Sequence, residues 1–181
     1  MTFFLRIILL ATATTLIMIA CNTTREENTS LVNRWMCENV VVLDMVFKDT
    51  LNPPPLLAQM TLAQVLSEAM TNAMSGFIFD IRNDGKMILT TAGGFIFHET
   101  TYTVENSILG ISYNDQTVRG FYQIRRDMLG WDVYLQYLLD LFKEFDLETD
   151  FFKELNLGDF EFDGEKLGLE NAVVSVEFRK L

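Results

Sequence analysis

The sequence predicts a mainly β fold, a closed or nearly closed antiparallel barrel with one or two helical insertions packed on its end or flank. Short runs of alternating apolar and polar residues recur from Phe77 to Val133 and again from Phe160 to Phe178. Polar or glycine-bearing turns separate them, as at Asn83-Asp84-Gly85, Asn114-Asp115 and Asp163-Gly164. Helical spacing interrupts this pattern in two main stretches. Closure is expected because an open small sheet would present unpaired edges to solvent. At 181 residues, 49% hydrophobic and 22% charged, the chain suits one globular domain.

The amino terminus stands apart from that domain. Met1 to Arg6 is a short, positively charged start, and Ile7 to Ala20 is an apolar run containing Thr12, Thr14 and Thr15. Its length and character are those of a signal-peptide core. A bilayer-spanning helix needs about 20 mainly apolar residues, and this chain turns polar directly after Cys21. Met18-Ile19-Ala20-Cys21 resembles the lipobox of bacterial lipoproteins. That resemblance implies a diacylglycerol on the Cys21 thiol and cleavage after Ala20, leaving Cys21 as the first residue. An ordinary secretory signal and a short membrane anchor are the alternatives. Asn22 stands where an Asp resembles an inner-membrane retention signal, which favours the outer membrane of a Gram-negative envelope, periplasmic or surface-facing. Asn22 to Ser30 is polar, without apolar periodicity, and reads as a tether. The expected division is therefore 1–20 signal peptide, 21–30 lipidated tether and 31–181 barrel.

The first β region covers the Trp35 segment and Val40 to Phe47, and stops before Pro53-Pro54-Pro55, which cannot continue a ladder. Thr61-Leu62-Ala63-Gln64 matches a capping box, and Leu62, Val65, Leu66, Ala69 and Ala73 share helical spacing. A helix from about Thr61 to Ser75, closed by Gly76, is predicted. Phe77, Phe79 and Ile81 alternate with Ile78, Asp80 and Arg82 into the Asn83-Asp84-Gly85 turn, followed by Met87 and Leu89. Phe95 and Phe97, Tyr102 and Val104, Ile108 to Tyr113, Val118 to Ile124, and Leu129 to Val133 continue as a meander. Tyr134, Leu138, Leu141, Phe142 and Phe145 then switch to helical spacing, and a further helical piece is predicted from Thr149 to Leu155. The chain returns to β at Phe160 and Phe162, at Leu167 and Leu169, and at Val174, Val176 and Phe178.

Chemistry-bearing constellations are sparse. Acidic residues outnumber basic ones, 25 to 14, for a net charge of −11, which argues against a broad nucleic-acid footprint and against attraction to anionic membrane. Cleavage after Ala20 removes Arg6 and no acidic residue, taking −11 to −12, so acyl burial is the expected anchoring force. With Cys21 acylated, Cys37 has no disulfide partner and is expected in the core. His98 is the one histidine, without a Gly-x-Ser-x-Gly elbow, so neither a two-histidine metal site nor a placed catalytic base is expected. Asp80 to Gly85 reads as a turn rather than a calcium loop, because Arg82 occupies a ligand position. Arg125-Arg126, followed by Asp127, is too small for nucleic acid. The carboxylates from Asp140 to Glu154 read as a solvated face. No enzyme activity, cofactor or metal is expected.

The lipobox, the Leu31-Val32-Asn33-Arg34-Trp35 start, the Phe77-Ile78-Phe79 hairpin, the Tyr122-Gln123-Ile124 strand and the Val176-to-Leu181 ending together resemble lipocalin-like bacterial lipoproteins of unassigned function. The resemblance implies an antiparallel barrel with an apolar interior, used in some members for a small hydrophobic molecule. Phe79, Ile81, Leu89, Phe97, Tyr122 and Trp131 are the candidate ligand-lining positions. Fifteen Phe and nine Met are enough either to line a cavity or to fill the barrel solid. Two functions are therefore expected. One is a membrane-anchored protein binding a small hydrophobic ligand. The other is an interaction or assembly module with a solid barrel, docking an envelope protein through the acidic helix around Leu138 to Phe145.

Overall fold

Strand β1 (Asn33–Phe47) runs the length of a closed antiparallel barrel and is followed by helix α1 (Leu56–Met74). The meander continues through β2 (Phe77–Ile81), β3 (Lys86–Thr91), β4 (Ile96–Glu105), β5 (Ile108–Tyr113), β6 (Gln116–Arg125) and β7 (Met128–Tyr134). Helix α2 (Leu135–Glu144) and a two-stranded excursion, β8 (Glu161–Phe162) with β9 (Glu165–Lys166), precede β10 (Leu169–Lys180). The computed structural model describes residues 30–113, 116–144, 161–162, 165–166 and 168–181. Leu167, the helical piece predicted from Thr149 to Leu155, and the Asn114-Asp115 and Asp163-Gly164 turns lie outside the described residues.

Each barrel strand lies beside its neighbour in sequence, except that β10 closes the ring between β7 and β1. The sequence alternation is the barrel wall seen from the side. On β10, Ala172, Val174, Val176 and Phe178 are buried and point inward, while Asn171 and Glu177 point out. Opposite them on β7 stand Val133, Trp131 and Leu129, also inward and buried. The lipocalin-like barrel with helical insertions is thus the observed architecture.

The seam between β1 and β2 decides where α1 goes. Only Asn33 to Met36 pair with β2, against Ile81 to Ile78. Beyond Met36 the same edge of β1 has no strand, and a buried strand edge must find other partners for its N–H groups. Helix α1 supplies them: Val40 N donates to Thr71 Oγ1 at 2.9 Å and Val42 N to Ser67 Oγ at 3.0 Å. The Thr71 hydroxyl has two acceptors in reach, Asn39 Oδ1 at 3.1 Å and Val40 O at 3.3 Å. Ala58, Leu62, Leu66, Met70 and Met74, four residues apart, form the buried stripe of α1. The helix therefore takes a strand's place along half of one edge.

The start of α1 differs from the sequence expectation. It begins at Leu56, with Pro55 at the cap position and no side-chain cap, so Thr61 is interior. The Thr61 hydroxyl donates back to Leu57 O at 2.9 Å instead of capping. Proline is the physical reason: Pro55 holds φ at −52°, which suits the entry to a first turn, and its carbonyl accepts from Gln59 N at 3.1 Å. The proline triplet both ends β1 and starts the helix. At the other end Gly76, with φ at +80°, turns the chain into β2.

Candidate functional site

Inside the barrel the two tryptophans organise the packing. The Trp35 indole N–H donates to Leu31 O at 2.8 Å, holding Leu31 at the end where β1 begins. Trp131 donates to Leu109 O at 3.4 Å. Between them Phe79 meets Trp131 edge-on, with ring centroids 6.3 Å apart, and Phe178 in a tilted contact at 4.6 Å. Edge and offset geometries suit the ring quadrupoles and fill space without a gap between faces.

The sequence-predicted lining positions fall around this cluster. Phe79 and Ile81 expose 1% of their surface, Leu89 4% and Trp131 none. Tyr122 is half-buried and packs against the core from β6. The Phe97 side chain lies outside what the structure describes, and its backbone sits at the bulge where β3 and β4 shift register. A side chain bordering a void wide enough for water keeps accessible area, and the four buried residues keep almost none.

Among the described residues, surface hollows lie on the barrel's outer face over glycines that leave the wall bare. One, of about 170 Å³, spans Gly130 and is lined by Gln123, Arg125, Met128, Ser175 and Glu177. Another, of about 180 Å³, spans Gly110 beside Thr103, Glu105, Asn106, Ile108 and Arg119. Small-molecule sites usually enclose about 300 Å³ or more. Each hollow suits ordered water or one polar group.

The titratable groups show structural roles. Burial pushes the Cys37 thiol up to about 12, the Asn39 carbonyl contact opposes this, and the charges of Glu38 and Glu177 add to it. Cys37 therefore stays a protonated thiol at neutral pH and is a poor nucleophile. Lys86 and Glu99 pair at 2.5 Å across β3 and β4; their hydrogen bond, then their mutual charge, raises the lysine and lowers the carboxylate. Both ends of that pair are solvated. Ser175 donates to Asp132 Oδ1 at 2.6 Å on the outer face. His98 lies opposite Leu89, half-buried on β4. Among the described residues no group of three His, Cys, Asp or Glu side chains is placed to hold a metal ion.

At the end where β1 finishes the helices meet solvent. Leu135, Leu138 and Leu141 turn inward, so the docking helix expected from the sequence offers Gln136 and Asp140 outward rather than its leucines. Leu51, Leu56, Leu57 and Met60 are exposed on the turn and first residues of α1. Sequence reading missed this group, because leucines flanking a proline triplet show no period. Against family models, curated proteins and solved structures, the chain finds no match.

Proposed function

We propose that this chain is a membrane-anchored envelope lipoprotein, held by diacylglycerol on Cys21, whose barrel acts as a protein-interaction module rather than as a carrier. The observation that supports it is the Phe79, Trp131 and Phe178 cluster, which occupies the middle of the barrel with side chains. A small barrel can be filled in this way by its own residues. The exposed Leu51, Leu56, Leu57 and Met60 give a partner apolar side chains to read. On this reading the protein is no enzyme and needs no cofactor.

Mass spectrometry of the protein purified from membranes under native conditions tests the proposal. The expected species starts at Cys21, carries the acyl mass, and shows no further small-molecule adduct after challenge with a hydrophobic library. Cys21→Ala should lose the acyl mass. A reproducible apolar adduct would instead establish the ligand-binding function, and acylation persisting in Cys21→Ala would overturn the anchor.

A further inference from the structure

The turn between β1 and α1 holds more proline than the fold requires. It runs from Lys48 to Pro55, eight residues, where a connection of about four to six is usual. Pro55 alone supplies the entry to α1, and one proline is enough to stop a ladder. Pro53 and Pro54 precede it, and Leu51, Leu56 and Leu57 flank the triplet with their side chains in solvent. Leu51 exposes 89% of its surface, the most of any large apolar residue among those described.

The backbone here is narrowly set. The pyrrolidine ring fixes φ at about −65° at each proline, and a residue that precedes proline is confined to extended ψ. Asn52, Pro53 and Pro54 all precede proline. Pro55 does not, and still has φ at −52° and ψ at 144°. The stretch is therefore a turn of polyproline II helix, which has about three residues per turn and no internal hydrogen bonds. Both of its ends are tied down. Asp49 Oδ1 accepts from Leu51 N and Asn52 N, each at 3.0 Å. At the other end Gln59 Nε2 donates to Pro54 O at 2.7 Å and Gln59 N to Pro55 O at 3.1 Å. Pro54 is half-buried on that side, and Pro53 and Pro55 face solvent.

Such a ridge has a narrow complement. Proline has no N–H, so Pro53 to Pro55 offer a partner only carbonyls and ring carbons. Gln59 engages the carbonyls of Pro54 and Pro55, and among the described residues nothing donates to those of Asn52 and Pro53. The matching surface is a groove of flat aromatic side chains that carry a donor, since tryptophan and tyrosine stack on the rings and give N–H or O–H to the carbonyls. Little order is lost on binding, because the prolines and their ties hold the bound shape beforehand. A second copy of this chain brings no tryptophan to the ridge, as Trp35 and Trp131 are both fully buried.

We infer that Leu51 to Leu57 is a docking ridge for a different protein, one that presents a groove lined with tryptophan and tyrosine. The inference rests on the proposed interaction module and names the chemistry of its partner.

Photo-reactive benzoylphenylalanine placed at Leu51 of the full chain, in gently opened cells that make the protein, tests this. The expected result is one adduct whose cross-linked site on the partner lies among tryptophan or tyrosine side chains. Excess synthetic peptide from Asp49 to Gln59 should compete for it, and the same peptide with Pro53→Ala and Pro54→Ala should need about ten times the concentration. In the full chain Pro53→Ala should weaken the adduct to a similar degree, while Val104→Ala, exposed at the opposite end of the barrel, should leave it unchanged. The peptides carry the test even where a variant of the full chain is unstable. No adduct at Leu51, a cross-linked site without aromatic side chains, or equal competition by both peptides would overturn the inference. The same probe at Met60, on the next turn of α1, separates that failure from failure of the module. An adduct from Met60 alone keeps the module and removes the proline ridge, and none from either position removes both.

Discussion

Gly120 shows how little space separates residues in this interior. It faces inward on β6 opposite Leu109, and a Cβ built there would collide with the Trp131 indole and the Asp132 carbonyl. Neither neighbour can yield easily, because Trp131 is fully buried and the carbonyl belongs to the ladder. Gly120→Ala should lower stability by about 1 to 3 kcal/mol, the usual range for overpacking, measured as a lower urea midpoint with unchanged slope. A midpoint equal to the parent would mean that the wall yields there without strain. Cys37 illustrates the opposite kind of position, a small apolar filler whose burial, not its chemistry, explains its presence.

At the scale of elements, the union of α1 with β1 carries the clearest energetic prediction. Thr71→Val keeps the shape of the side chain and removes the oxygen that accepts from Val40 N. Leaving that N–H unpaired at a partly buried seam should cost about 1 to 3 kcal/mol in a urea melt. Thr61→Val, on the exposed side of the same helix, serves as the control and should change stability by less than about 0.5 kcal/mol. The strands from β2 to β7 were legible in sequence, because each wall position alternates between core and solvent and each turn is marked by polar residues or glycine. Helix α1 was legible in existence and not in its start, since its capping-box match lies inside the helix and Pro55 governs the entry. The role of α1 as a substitute strand was not legible. It depends on Thr71 and Ser67 meeting Val40 and Val42 across more than twenty residues, a pairing with no periodic trace.

Across the whole molecule, composition and arrangement give the same answer about charge. The sum of −11 suggests a chain that avoids anionic surfaces, and although the barrel's closure brings Arg34, Arg125, Arg126 and Lys180 from distant parts of the sequence to one end, it brings Asp84, Glu105, Asp127 and Glu177 there with them. Arg125-Arg126 was visible as a pair, and Arg179-Lys180 as the close of a strand; only the ladder between β10 and β7 makes them neighbours. Of the candidate lining residues, the sequence located Phe79, Ile81, Leu89 and Trp131 on the inner face, because alternation reports which way a side chain points. Whether inner side chains meet one another depends on volumes summed around the ring, which alternation does not record. Strand β1 has a mechanical consequence. It begins at Asn33, ends at Phe47 near the far end, and pairs with β10 from Trp35 to Phe47. The bonds of that ladder lie across the strand direction. A pull between the two ends of β1 therefore loads them in shear, many at once, so the barrel should bear tension along this axis far better than across it.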